Sequence, residues 1–382
     1  MTHFPRRLRP GFTLIEALVA LGVVIVVVLL SIPLVYRGVG SMKRRNCEFN
    51  LHHIGQSLDQ YKTSFAGQLP IGSRYQQTPD SPFGPSWWVS LLPFTDQGAQ
   101  FKSWKNLPSS GRFDLAGKSN ENIKLADGFR PTFMFCPTDP LPQGNDPMKN
   151  ISAENRALLS GPAQGIPVSS YVAIAGSAPD MTGGGTAGGP PSGRNTKEGK
   201  YGILSGSGVF PPNQNIREAA IRDGKSFTLA FGEQSNIWLD ASYDPPVPYD
   251  LRSGWPGGAF MGSGGNYSQL SPTAEGIDGT GDMRALNITT IRYPVNDLGL
   301  KAGMFSEPLS PIPPPKEGDP PRPPPVKRPP GPGHNHGLFS AHGDGAQGLM
   351  VDGTVRWLSS DMELRVLLLL STRDDGQVMP NF

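Results

Sequence analysis

Glu16 is a carboxylate inside an otherwise apolar run, GFTLIEALVALGVVIVVVLLSIPLV, residues 11–35. Lipid offers such a charge no partner, so its position marks a candidate functional site. Cys47 and Cys136 are the two cysteines. An even count is compatible with one disulfide or with two buried thiols, and spacing does not choose between them. His334, His336, His342, Asp344 and Asp352 lie close together in sequence. Imidazoles with a carboxylate would suit zinc or a similar ion. However, no standard ligand spacing is met, and His334 and His336 fall in a proline–glycine tract expected to be flexible. The favoured reading therefore has His342 cap or hydrogen-bond a hairpin, with no metal. Asp278 and Asp282, in DGTGD, supply too few oxygens for calcium. No G-x-S-x-G, HExxH or comparable motif is present, which argues against an enzyme, and no cofactor is expected.

These residues have to be positioned by a few elements. The apolar run is long enough for a helix to cross a bilayer. Beyond it, Cys47, Leu51, Ile54, Leu58 and Tyr61 recur at spacings of four, three, four and three, which places them on one helical face. Asn50, His52, Gln56, Asp59 and Lys62 fill the other faces, and His52 and His53 read as solvated. One helix from about Phe12 to Tyr61 follows, loosened or bent near Pro33, Gly38 and Gly40.

Gly and Pro are frequent, at 48 and 41 of 382 residues, so strands, turns and long loops should dominate the remainder. SWWVSLLPF, residues 86–94, reads as core. FMFCPTDP (133–140), SSYVAIAG (169–176) and 226–232 read as strands, the last leading to Glu233. Residues 182–193 are glycine-rich but lack the lysine of a phosphate-binding loop. From 308 to 332, 13 of 25 residues are proline, which favours an extended polyproline loop. Near the C-terminus, Asp352-Gly353 separates two strand-like runs, 348–351 and 354–358, and predicts a type I′ hairpin. The net charge of +2 argues against a nucleic-acid partner.

The N-terminal residues resemble the cleavage and methylation motif of type IV prepilins and type II secretion pseudopilins. The resemblance implies cleavage after Gly11 by a prepilin peptidase and N-methylation of Phe12. It further implies that Glu16 neutralises the N-terminal amine of a neighbouring subunit. A buried ammonium and a buried carboxylate are each costly alone and tolerable together. Pro33 matches a helix-kinking proline of many pilins. Basic residues flank the run on both sides, Arg6, Arg7 and Arg9 before it and Arg37, Lys43, Arg44 and Arg45 after it, so the positive-inside rule gives no orientation. The resemblance implies a cytoplasmic leader and a periplasmic or extracellular remainder, single-pass in the cytoplasmic (inner) membrane.

A second resemblance covers nearly the whole chain. His342 and Asp352-Gly353 form an H-X9-DG pattern. Together with CEFNLHHIGQSLDQY, SWWVSLLPF, FCPTDP, the block ending at Glu233, IRYPVND and TRDDGQV, it is similar to a large family of pilin-like proteins of unknown function from planctomycete-type bacteria. The expected fold is α+β and pilin-like: a long N-terminal transmembrane and amphipathic helix packed on a mainly antiparallel β-sheet domain with long loops. The expected organisation is a leader at 1–11, a transmembrane helix at 12–36, its periplasmic continuation at 37–62 and an ectodomain at 63–382, with insertions at 182–193 and 308–332. The expected function is a membrane-anchored pseudopilin-like structural subunit of a type II secretion or type IV pilus-like system. Its partners would be the prepilin peptidase, other pilin or pseudopilin subunits and the membrane. The alternative is a surface module binding a solute or glycan, anchored by the leader, with Trp87, Trp88, Trp104 or Trp255 as stacking platforms.

Overall fold

In the computed structural model the described residues are 13–76, 83–106, 111–182, 194–235 except 197 and 200, 237–240, 247–250, 257–265, 267, 284–297, 305–308 and 330–380, with backbone alone at 28–40, 100, 237–240, 247–250, 305–308 and 330–332. The chain forms two compact units, Met1–Arg45 and Asn46–Phe382.

Helix α1, Leu14–Ser64, runs through Pro33 without a break in its assignment. It ends three residues past the expected Tyr61. Ala66 and Gly67 there take positive φ, and the Gly67 N–H donates to the Lys62 carbonyl at 2.8 Å, a closing bond of the Schellman type. Among the described residues no helix is long and apolar enough to cross a membrane. The side chains described within the expected 12–36 span run only from Thr13 to Val27, fewer than the roughly 20 residues a bilayer core requires.

The second unit is built on a five-stranded sheet. Its strands are β1 (Tyr171–Ser177), β2 (Leu229–Glu233), β3 (Ile288–Ile291), β4 (Gly345–Met350) and β5 (Val355–Ser359), in the order β5-β4-β2-β1-β3. The protein is α+β as expected, but the sheet is mixed: β1 and β3 run parallel, and the other neighbours are antiparallel. One core contains the α1 stripe Leu51, Ile54, Leu58 and Tyr61 together with Trp87, Trp88, Phe231 and Leu349. A second core contains Val172, Ile174, Leu229 and Leu358 with a short helix, Leu364–Leu370. Alternate residues of β1 thus feed different cores, as the two-residue side-chain period of a strand requires. Gly55 permits the close approach of α1 to β4, because a Cβ there would meet Leu349 Cδ1 at 3.2 Å.

Three local expectations are corrected. Residues 133–140 form no strand: Thr132–Met134 is a 3-10 turn, and Pro137 and Pro140 remove backbone donors that a sheet would need. The C-terminal hairpin exists, but its last pair is Leu349 with Val355, so the connection is longer than two residues. Gly353 N–H donates to the Met350 carbonyl at 3.0 Å, and only Gly353, not Asp352, has positive φ. That is a β-turn followed by a left-handed glycine rather than a type I′ turn. Finally, His53 is partly buried rather than solvated, its ring against Phe133 with centroids 4.5 Å apart.

Candidate functional site

The N-terminal site is only partly described. Gly11 and Phe12 lie outside the described residues, as does the Pro33 side chain. Thr13 precedes α1 at the N-cap position. Its N–H and Oγ1 both donate to Glu16 Oε2 at 2.9 Å, and the Glu16 N–H donates to Thr13 Oγ1 at 3.3 Å. This is a capping box, in which Thr and a Glu three residues later satisfy each other's backbone donors at a helix start. The spacing T-x-x-E was legible in the sequence and was missed beside the reading of Glu16 as an assembly residue.

The side chains that converge in the second unit were not brought together by sequence reasoning. Cys47, Cys136, Glu233 and His342 each place one ligand-type atom within 4.8 Å of the other three. Cys47 comes from the buried stripe of α1. Cys136 sits on the loop after the 3-10 turn, in a bend closed by the Asp139 N–H donating to the Cys136 carbonyl at 3.0 Å. Glu233 is the last residue of β2. His342 lies in the turn that leads into β4. The two sulfurs are 2.7 Å apart and unbonded. The two cysteines, 89 residues apart in sequence, are thus brought together in the interior. His342 Nε2 is 3.3 Å from Cys47 Sγ, 3.6 Å from Cys136 Sγ and 3.8 Å from Glu233 Oε1.

Surrounding groups hold these four in place. Ser340 Oγ donates to Glu233 Oε1 at 2.8 Å and accepts from the His342 N–H at 3.1 Å, so one hydroxyl orients two of the four. The Gln347 N–H donates to Glu233 Oε2 at 3.2 Å. Asn50, one turn beyond Cys47, donates to the Phe135 carbonyl at 2.8 Å and to Tyr171 Oη at 3.1 Å, which ties the Cys136 loop to the helix and to β1. Glu233 is fully buried, and no lysine or arginine pairs with it among the described residues. Burial pushes its carboxyl pKa up. The contact with Cys47 and then burial push the Cys136 thiol up, and burial does the same to the Tyr171 phenol. The sequence offered one signal for this cluster: each of its four residues falls in a different one of the motif blocks.

The rest of the C-terminal histidine group disperses. His334 and His336 are buried, contrary to the expectation of a flexible tract. His334 Nε2 accepts from the Ala285 N–H at 3.1 Å. Burial holds the His336 imidazole down to about 4. Asp352 lies at the far end of β4 from His342 and accepts from the Thr354 N–H and Oγ1 at 2.9 and 2.7 Å. The H-X9-DG spacing is therefore the length of one strand plus its turns, with the histidine at one end and the Asp-Gly turn at the other. His342 Nε2 faces the sulfurs, and its ring meets Trp357 of β5 edge-on with centroids 6.2 Å apart. Asp278 and Asp282, the glycine-rich segment from 183 to 193 and Trp255 lie outside the described residues. Trp87 and Trp88 stack on each other at 4.1 Å inside the core, and Trp104 packs against the same core. Trp87 and Trp88 are therefore closed to a sugar, while Trp104 is half-buried.

Structurally, the chain is an α+β domain following one long helix, with a buried thiol–imidazole–carboxylate cluster where helix, sheet and C-terminal hairpin meet. It belongs to the family described as a protein of unknown function (DUF1559), which matches residues 41–365 and so takes in all four clustered side chains. No curated protein and no solved structure matches it.

Proposed function

We propose that the protein is a membrane-anchored, pilin-like structural subunit, processed after Gly11 and assembled through the first part of α1. The observation that carries this reading is the exposure of Leu14, Ile15, Leu18, Val19, Leu21 and Val23 to Val27 on a single helix. An apolar helix exposed all round needs lipid or other apolar helices as its surroundings. The sequence continues this apolar character to Val35, which supplies the length a bilayer crossing needs. Glu16 near its start would meet the amine of a neighbouring processed subunit, and the second unit would lie outside the cytoplasmic membrane.

Mass spectrometry of the N-terminus of the chain isolated from native membranes tests the reading. A chain that starts at N-methylated Phe12 is the expected result. A chain that still starts at Met1 would leave a plain anchor and remove the assembly role.

A further inference from the structure

We propose that Cys47, Cys136, His342 and Glu233 form a binding site for a zinc-class divalent metal ion. This inference stands apart from the pilin-like reading, since it uses only the second unit.

The donor set comes first. Two thiols, an imidazole and a carboxylate are a ligand combination suited to zinc, whereas magnesium and calcium select oxygen alone. The geometry follows. Tetrahedral bonds of about 2.0–2.3 Å place donor atoms roughly 3.3–3.8 Å apart. The distances from His342 Nε2 to the two sulfurs and to Glu233 Oε1, 3.3, 3.6 and 3.8 Å, already lie in that range. The sulfurs, at 2.7 Å, would part by about 1 Å to reach the separation of two zinc thiolates. The Cys136 bend and the Cys47 side chain can supply that motion without moving a strand.

The shell around the donors gives a third reason. Ligating carboxylates and imidazoles are characteristically oriented by outer hydrogen bonds. Ser340 and the Gln347 N–H each take one oxygen of Glu233, and Ser340 also fixes the His342 backbone. A disulfide between the same cysteines would account for neither the imidazole aimed at both sulfurs nor the fully buried carboxylate beside them. A cation accounts for both. A cavity of about 200 Å³ lined by Phe135, Cys136, Pro137, Asp139 and Ser170 lies on the Cys136 side of the cluster. On binding, the two thiols release their protons to solvent as the metal–sulfur bonds form. The ion would then tie α1, the 136–140 loop, the end of β2 and the turn before β4 into one unit.

The full-length chain, reduced, stripped with chelator and held in detergent, is titrated with Co²⁺ alone. The expected result is one cobalt per chain, with visible d–d bands and sulfur-to-cobalt charge transfer, displaced by one equivalent of Zn²⁺. Zn²⁺ should also protect both thiols from alkylation and raise the midpoint of thermal unfolding. Cys47→Ser or Cys136→Ser should diminish the charge transfer. Glu233→Gln, which keeps the shape of the side chain, should weaken affinity at least ~10-fold. His52→Ala, at an exposed histidine of the same helix, should change nothing. Absence of charge transfer in a chain with two titratable thiols overturns the site. So does a Cys47–Cys136 disulfide in chain isolated from membranes with its thiols blocked at lysis. Unaltered affinity in Glu233→Gln overturns the four-donor assignment.

Discussion

Leu14–Val27 and Cys47–Tyr61 belong to the same helix, yet they present apolar side chains in different ways. In the first stretch Leu14, Ile15, Leu18, Val19 and Leu21 are all exposed, with no polar face among them. In the second, Cys47, Leu51, Ile54, Leu58 and Tyr61 are buried while His52, Gln56 and Asp59 are exposed. A periodic stripe states that the partner is within the same fold; uniform apolarity states that the surroundings come from outside it. Buried polar groups follow the same division. Every one described, from Asn50 and Lys62 to Glu233 and His336, lies in the second unit, where neighbours can satisfy it.

The sharpest way to break this comparison is to truncate one leucine in each stretch. Leu58→Ala removes a fully buried side chain and should cost about 2–5 kcal/mol, whereas Leu18→Ala should stay within about 0.5 kcal/mol. Denaturation of the full chain, followed by the fluorescence of the buried Trp87–Trp88 pair, gives both values. Equal losses would show that the first stretch also packs within the fold.

Acidification gives an effect of similar size. His336 is held at about 4, against an ordinary value of 6.5. Between these values only the unfolded chain takes up the proton. Its contribution to stability is therefore complete above pH 6.5 and falls as pH drops towards 4, by about 3 kcal/mol in all. Denaturation midpoints at pH 7.5 and 5, compared between the native chain and His336→Gln, isolate that contribution. A variant with an unchanged pH dependence would show that the imidazole is not held neutral.

Lys62 should matter somewhat less. Burial pulls its pKa down, but Asp59 at 2.6 Å and Glu218 at 3.0 Å more than offset that, so the net shift is upward. The ammonium also donates to the Val351 carbonyl at 3.3 Å, beside the Asp-Gly turn. Lys62→Met keeps the stem and removes these charge-assisted bonds, for a loss of about 2 kcal/mol. The same substitution at Lys43, which is exposed on the first unit, should leave stability unchanged.

What could be read from the sequence follows the reach of the signal. The α1 stripe was legible because five apolar residues repeat within one helix, and the burial of the Trp pair because two indoles sit in an apolar run. The helix Leu364–Leu370 was not recognised: LRVLLLL is apolar apart from Arg365, and so short and even a run has no period by which to tell helix from strand. The 133–140 segment misled because aromatic β-formers outweighed the prolines that follow them. The burial of Lys62, placed off the apolar stripe, was not visible because its partner Glu218 lies far along the chain. The convergence of the four clustered residues was hidden for the same reason. Cys47, Cys136, Glu233 and His342 come from a helix, a loop, a strand end and a turn, and only the sheet order sets them side by side. Metal-site rules that rely on short spacings cannot see such a set.

Glu16 is where the two readings of one residue can be separated, with the smallest expected effect on stability. As an assembly residue it contributes a negative charge. As the second half of a capping box it contributes an acceptor to the Thr13 N–H and hydroxyl. Glu16→Gln keeps an acceptor and removes the charge; Glu16→Ala removes both and weakens the helix start. If the charge meets a neighbouring amine, both variants should be processed normally at Gly11 and both should be depleted from assemblies formed with native pilin-like subunits. If the cap is the whole role, Glu16→Gln should enter those assemblies as the native chain does and only Glu16→Ala should lag. The fraction of tagged variant recovered in assemblies, read beside the mass of its N-terminus, distinguishes the two. We expect the Gln variant to be excluded, because a neutral acceptor satisfies Thr13 but leaves a buried ammonium without its counter-charge.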